Sequence, residues 1–347
     1  MKIAVIGANG HVGTELCFLL KENADVVPIV RNKIGTIFLQ HHGFKCRIAD
    51  ISQENEAEKN LYDIDVVVNA TWVADRFSGS QNQTSKAINE KIIKNSIRFS
   101  DKNATIIYLS TIRAFAHKVD PKTSRFWPPR YDTEKQNLER VLLSECKKKK
   151  KRGFPLRSGH VFGENQPNTI EIRKVLSNNK KLVIQAHSEW KCNVVHIVTL
   201  KDAIMKCIQS DVKPGVYSVV NNPQWNWEEL YEYYNKNSQI EFKPSTSASR
   251  NINKFIWTIL KSNKKLLIPI LYRIPKRFEK HLLRKLGMKK MQSEISMLND
   301  KEIIYSGNFN YKPIPGPFLP ELANTRELLQ KYSPEVFKIT KENITSY

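Results

Sequence analysis

Tyr131-Asp132-Thr133-Glu134-Lys135 places a phenol and an ammonium four residues apart. On a helix those two side chains share one face. A tyrosine ordinarily titrates near pH ~10, and a neighbouring positive charge favours its phenolate. A pair so arranged can exchange a proton with a substrate hydroxyl near neutral pH. Beside a nicotinamide ring, that exchange accompanies hydride transfer at the same carbon, and Lys135 can also hold the nicotinamide ribose. Tyr-x-x-x-Lys alone is a weak signal, since a surface Tyr and Lys on an exposed helix would look the same. Here it opens a long helical pattern after the strand-like run ending Leu109-Ser110-Thr111, where a hydroxyl can orient the substrate oxygen for Tyr131.

Such chemistry needs a cofactor, and the start of the chain carries a place for one. Gly7-Ala8-Asn9-Gly10-His11-Val12-Gly13 has the spacing GxxGxxG, directly after the strand-like run Lys2 to Ile6 and at the opening of a helical pattern. That context makes the spacing informative. Gly7 lets the chain turn sharply, Gly10 lets the backbone approach a pyrophosphate, and Gly13 lets the helix pack closely on a sheet. The helix N-terminus offers free N–H groups and its positive dipole end to the phosphates, so Asn9, His11 and Val12 are expected beside the cofactor. The second strand-like run ends Val30-Arg31-Asn32. An acidic residue there would bond the ribose hydroxyls of NAD, whereas Arg31 can pair with a 2′-phosphate. The reading leans to NADP over NAD, with stacking of Arg31 on adenine as the alternative. Asp50-Ile51 follows the third strand, where a carboxylate can accept from the adenine amino group. Asn69-Ala70-Thr71 follows the fourth, where small residues leave room for the cofactor.

The elements that must position these groups alternate. Apolar runs at 3–6, 26–30, 44–48, 66–68, 104–109 and 154–157 read as strands, and 12–21, 85–95 and 131–146 read as helices. Strands apolar on both faces in a βαβ rhythm predict an α/β fold, a Rossmann-like doubly wound parallel sheet. Pro28 marks the second strand as imperfect or near an edge. After about residue 165 the pattern becomes mixed, with strands at 182–184, 194–198 and 215–220 and a helix over 202–209. The expected division is an NAD(P)-binding domain over 1–165, with returns near 190–220, and a smaller mixed α/β substrate domain over 166–347.

Of 347 residues, 40% are hydrophobic and 26% charged, as in soluble globular proteins. The net charge of +22 implies either attraction to an anion or a solvated basic surface. Zinc-finger spacings and aromatic-basic RNA motifs are both missing, so no nucleic acid partner is expected. Five cysteines without a CxxC argue against a disulfide framework or a metal site and fit a reducing cytoplasm. The first residues do not read as a leader, and no apolar run reaches the ~18 residues of a spanning helix. The basic run Lys147 to Arg152 suits the end of a long helix. Residues 255–291 interleave apolar side chains such as Trp257, Leu260 and Leu271 with cations such as Lys261, Arg273 and Arg284. That pattern suits an amphipathic helical segment in peripheral contact with an anionic membrane, on its inner face. A buried helical pair with a basic outer face is the alternative.

Taken in order over residues 1–220, these features resemble the extended short-chain dehydrogenase/reductase superfamily, also called the NAD-dependent epimerase/dehydratase family. The run Leu156-Arg157-Ser158-Gly159-His160-Val161-Phe162-Gly163 is similar to the family's LRPGxVYG, with Ser158 in place of proline, and Asn193-Val194-Val195-His196-Ile197 is similar to its N-x-x-H-V segment. The resemblance implies that Ser158 and His160 lie beside the nicotinamide. It implies that Thr111 is the catalytic hydroxyl, four residues before the aromatic of the turn Ala114-Phe115-Ala116, and that Ser110 is its neighbour. It also implies a homodimer, as many members form. Sugar dehydratases of the family carry Asp-Glu after that hydroxyl, so Ile112-Arg113 disfavours dehydration here. The implied function is hydride transfer at the carbinol or carbonyl of a sugar-linked small molecule, nucleotide- or lipid-linked. An epimerase or a dehydrogenase/reductase would do this, with Tyr131 as general acid/base. Two other readings stay open. One is an NADPH-dependent reductase of a non-sugar ketone, with an apolar pocket from Trp225, Trp227 and Phe255. The other is a non-catalytic NADP-sensing regulator, which would have no use for Tyr131 and Lys135.

Overall fold

Strands that are apolar on both faces can only sit between two helical layers. Strand β1 (Lys2–Ile6), with four of its five residues buried, lies inside a seven-stranded parallel sheet. On one side it pairs with β2 (Asp25–Val30), which pairs with β3 (Arg47–Ile48). On the other side follow β4 (Val66–Asn69), β5 (Thr105–Thr111), β6 (Arg152–Ser158) and β10 (Tyr217–Val219). The order β3-β2-β1-β4-β5-β6-β10 is Rossmann-like. Its winding reverses between β1 and β4, and ligands of open α/β sheets bind at the carboxyl ends of the strands at such a switch point. A computed structural model describes residues 1–74, 83–115, 131–178, 181–184, 186–209, 211–243, 294–298, 302–306 and 316–332.

Helices α1 (His11–Leu20) and α7 (Ile197–Gln209) cover one face of the sheet, where Val5, Leu16, Leu20, Ile107, Leu200 and Ile204 form a buried cluster. Helices α3 (Glu54–Leu61), α4 (Gln83–Phe99) and α5 (Tyr131–Lys148) cover the other, around Ile6, Val67, Ile93, Tyr108, Leu138 and Leu142. The short helix α2 (Ile37–His41) follows β2. Helix α6 (Pro167–Asn178) follows β7 (His160–Phe162), which pairs with β9 (Val194–His196).

Three elements depart from the sequence expectation. The run 44–48 yields only the two-residue β3, which pairs with Ile29 and Val30 and leaves Pro28 a ladder on the β1 side alone. That suits a residue without an N–H. The strand expected over 194–198 stops at His196, and α7 begins at Ile197 rather than Asp202. Ile197, Val198 and Leu200 are buried as the inner side of a helix. A short apolar run does not distinguish that from a strand. Helix α3 buries only Ala57 and Leu61, too few to leave a periodic signal.

The chain divides into two compact units: Met1–Ile172 with Asn193–Trp225 and Pro313–Tyr347, and Arg173–Cys192 with Asn226–Lys312. In the second unit β8 (Lys181–Ile184) pairs in parallel with β11 (Gln239–Phe242) and β13 (Glu302–Ser306), and β12 (Glu294–Leu298) runs antiparallel to β13. Its helix α8 (Trp227–Tyr234) opens with a capping box between Asn226 and Glu229, worth about 1 kcal/mol. The first unit ends in α9 (Thr325–Lys331). Trp225 and Trp227 are buried, 1% and 6% exposed. Phe255 and the basic segment 255–291 lie outside the described residues. Among the described residues no helix is long and apolar enough to cross a membrane.

Candidate active site

At the end of β1 the chain turns at Gly7, whose φ of +81° favours glycine. A Cβ there would stand 2.9 Å from Thr71 Cγ2, so the turn after β1 and the segment after β4 meet closely at the switch point. Gly7 N–H donates to Ile29 O at 3.1 Å, and Ala70 N–H donates to Ile6 O at 3.0 Å. A Cβ on Gly13 would collide with the Gly7 carbonyl. Helix α1 starts at His11 with Gly10 as its N-cap, no capping side chain and no acid in its first turn. Its N–H groups and dipole are open to an anion, and a dinucleotide phosphate fits this cradle.

The other cofactor candidates lie around that turn. Asn9 is exposed, and a Cβ on Gly35 would come within 2.9 Å of its Nδ2. Asn32 Oδ1 accepts from Gly35 N–H at 2.9 Å, which closes the turn after β2 next to exposed Arg31. Asp50 Oδ1 accepts from Ser52 N–H at 3.0 Å and Ser52 Oγ at 2.7 Å. Ile51 is buried, with its carbonyl accepting from Asn95 Nδ2 at 2.9 Å. Buried Asn69 accepts from Thr71 N–H at 2.9 Å and Thr71 Oγ1 at 2.7 Å, which shapes the turn after β4. His11 Nδ1 lies 2.8 Å from Asn165 O, and Val12 packs on the core.

Helix α5 opens at Tyr131, whose ring meets Trp72 edge-on at 4.7 Å. Lys135 Nζ lies 5.8 Å from the Tyr131 ring centre, 4.8 Å from Trp72 and 4.6 Å from Tyr108, and donates to Leu109 O at 2.9 Å. The shared helix face is turned inward, with Lys135 only 4% exposed. Burial pushes the Tyr131 phenol up to about 12 and the Lys135 ammonium down to about 7. This differs from the simple expectation that the ammonium lowers the phenol. The burial that brings the pair together removes water from both, so Lys135 loses its proton before Tyr131 does. The cation that pulls the phenol down, against burial, is Arg113.

One turn beyond Lys135, buried Glu139 accepts from Ser110 Oγ and from Arg157 through Nε at 3.0 Å and Nη2 at 2.7 Å. The Ser110 hydroxyl is therefore engaged away from Tyr131, and the Ser110 carbonyl accepts from Ser158 Oγ at 2.9 Å. Thr111 Oγ1 accepts from Arg113 N–H at 3.3 Å. Burial, with Arg113 nearby, pushes His160 down to about 4, so its ring is neutral at physiological pH.

Glu134 is 2% exposed, and among the described residues neither carboxylate oxygen has a hydrogen bond. Burial pushes it up to about 7, against a smaller opposite pull from Lys86. A raised carboxyl binds its proton more tightly folded than unfolded. The fold therefore loses stability as pH rises from the ordinary carboxyl range near ~4.3 through that raised value. Glu134→Gln is expected to exceed the wild type in stability at pH 8 by on the order of 1–2 kcal/mol, with most of the difference gone at pH 5. Urea unfolding at the two pH values checks this, and a variant weaker than wild type at pH 8 contradicts it.

The family model described as RmlD substrate binding domain matches residues 1–253. The chain belongs to that family. It thereby stands in the extended short-chain dehydrogenase/reductase superfamily that its motifs resemble. No curated protein matches the chain. Among solved structures, UDP-glucuronic acid 4-epimerase from Bacillus cereus, in complex with UDP-glucuronic acid and NAD, has a TM-score of 0.53 at 19% identity, covering 71% of this chain and 87% of its own. UDP-N-acetylglucosamine 4-epimerase from Methanobrevibacter ruminantium, in complex with UDP-N-acetylmuramic acid, has 0.53 at 18%, covering 70% and 86%. UDP-glucose 4-epimerase from Thermotoga maritima, with UDP-glucose, has 0.51 at 16%, covering 72% and 87%. At these identities the likeness is one of fold.

Several residues around this candidate site were assigned no role from the sequence: Glu15, Trp72, Arg113, Glu139 and Arg157. Glu139 was detectable, because 131, 135 and 139 continue one period of four along the same helix face. Fully buried Glu15 on α1 accepts from Glu164 N–H at 2.7 Å, Asn165 N–H at 3.3 Å, Gln166 Nε2 at 2.8 Å and Tyr332 OH at 2.7 Å. No local spacing signals those partners.

Proposed function

We propose that this chain is a nicotinamide-dependent enzyme that moves a hydride at the carbinol or carbonyl carbon of a sugar-linked small molecule, as an epimerase or a dehydrogenase/reductase. The observation that carries the reading is the contact between Trp72 and Tyr131. Trp72 directly follows Thr71, which abuts Gly7, so the phenol and the glycine cradle stand at the same end of the sheet. The nicotinamide, when bound, supplies the hydride and, in its oxidised form, a positive charge. Tyr131 exchanges the proton of the substrate oxygen at its own phenol oxygen. Its raised pKa keeps it protonated in the protein alone, ready to donate. Lys135 holds the ribose, Thr111 orients the substrate oxygen, and Ser110 positions the end of β5 through Glu139. Gly7, Asn9, Gly10, His11, Val12 and Gly13 cradle the pyrophosphate. Asp50 and Ile51 face the adenine, Asn69 to Thr71 flank the cofactor, and Ser158 and His160 border the nicotinamide. The first compact unit serves as the NAD(P)-binding domain, and the second provides the substrate domain.

The UDP-sugar epimerases that share the fold support a sugar-linked substrate. Contact of 255–291 with an anionic membrane and a homodimer are extensions that rest on sequence. Arg31 is exposed beside the turn that closes on Asn9, a position suited to a 2′-phosphate, which supports NADP over NAD. Arg31→Glu is expected to lower the NADPH-to-NADH affinity ratio by about tenfold or more. Titration of nicotinamide fluorescence measures this. An unchanged ratio removes the NADP assignment, and absence of binding to either nucleotide removes the function.

A further inference from the structure

Arg113 lies in the 3₁₀ turn Ile112–Phe115 that ends β5, with its side chain 60% exposed. Its Nε holds Asp132 Oδ1 at 3.1 Å, and Asp132 is the second residue of α5. The guanidinium carbon stands 5.9 Å from the centre of the Tyr131 ring. Its charge also acts on His160. Nη1 and Nη2 have no partner among the described residues. Asp132 thus stands at ion-pair distance from the Nε edge without a hydrogen bond to it, and the terminal fork is left to meet an oxyanion with two parallel hydrogen bonds.

A surface ion pair alone would explain the Nε contact but not the placement of a cation beside the Tyr131 ring. A substrate oxygen at the phenol needs a hydrogen bond of about 2.7 Å, and an oxyanion at the fork needs about 2.8 Å. With the two side chains this close, both oxygens belong to one small substrate unit. We propose that Arg113 is a specificity-determining residue that binds an oxyanion, carboxylate or phosphate, carried on the same unit as the reacting carbinol. This rests on the reading of Tyr131 as the proton-exchanging group.

The test is calorimetric titration of the full chain, with and without NADPH. Two pairs serve as probes: UDP-glucuronic acid against UDP-glucose, which differ by a carboxylate for a hydroxymethyl, and glucose 6-phosphate against glucose. The anionic member of at least one pair should bind about tenfold tighter or more. A preference in the first pair identifies a carboxylate site, one in the second a phosphate site, and one in both an oxyanion site that takes either. Arg113→Met should bring the ratio of anionic to neutral affinity close to one. Arg113→Lys, which keeps the charge and loses the fork, should retain part of it. A fold defect would weaken both members together and leave the ratio intact. Absence of preference in both pairs, including absence of binding, overturns the proposal, as does a preference that survives Arg113→Met. NADPH binding is read in the same protein without either pair, and the turnover of Tyr131→Phe tests the hydride-transfer reading separately.

Discussion

Tyr131→Phe is expected to lower turnover by about 10²–10⁴-fold, the range for loss of a positioned acid/base group. The substitution removes one oxygen and keeps the ring. The edge-on contact with Trp72 and the Lys135 ammonium beside the ring can both persist, so cofactor affinity and thermal stability should change little. Single-turnover absorbance at the nicotinamide band, with wild type and variant at equal cofactor saturation, separates the chemical step from binding. Turnover within threefold of wild type would sink the assignment of Tyr131. The protein would then hold a dinucleotide without using this phenol, as a sensor would.

Glu139→Ala is expected to destabilise the first unit by about 3 kcal/mol or more. The side chain of Glu139 is 2% exposed and that of its partner Arg157 12%, with a nearest approach of 2.7 Å. Truncation would remove the buried carboxylate that Arg157 and the Ser110 hydroxyl both bond. Replacing Glu139 and Arg157 together with methionine should recover most of the loss, because it removes the buried cation together with its carboxylate. Urea midpoints for the single and double variants give the comparison. A single variant within 1 kcal/mol of wild type, a threshold about that of an exposed pair, would show that water already screens the ion pair.

What the sequence made legible follows from how local each requirement is. Gly7 and Gly13 could be read because positive φ and a collision with a carbonyl exclude every side chain at those points. Tyr131 and Lys135 could be paired because the helical repeat alone brings them to one face. The tie from Arg157 to Glu139 has no local signature, because it joins a strand to a helix 18 residues away, a distance that only sheet register closes. Arg113 pointed only against dehydration, because an exposed cation is ordinary until its neighbours are known. The protonation order of Tyr131 and Lys135 was beyond spacing rules. Charge proximity and loss of water act in opposite directions on the pair, and only the depth of burial decides which prevails.

Glu15 carries a consequence for how the molecule opens. One carboxylate gathers donors from 164–166 and from Tyr332, a phenol 317 positions away along the chain. It does so from the helix whose first turn faces the phosphate cradle. The turn proposed to cradle a nucleotide is therefore not an autonomous flap. Loosening its helix means releasing a tether near the far end of the polypeptide, and the linkage is reciprocal. Occupancy of the cradle should slow amide exchange around Tyr332 as well as at Gly10 to Thr14, so these distant stretches should melt as one cooperative unit.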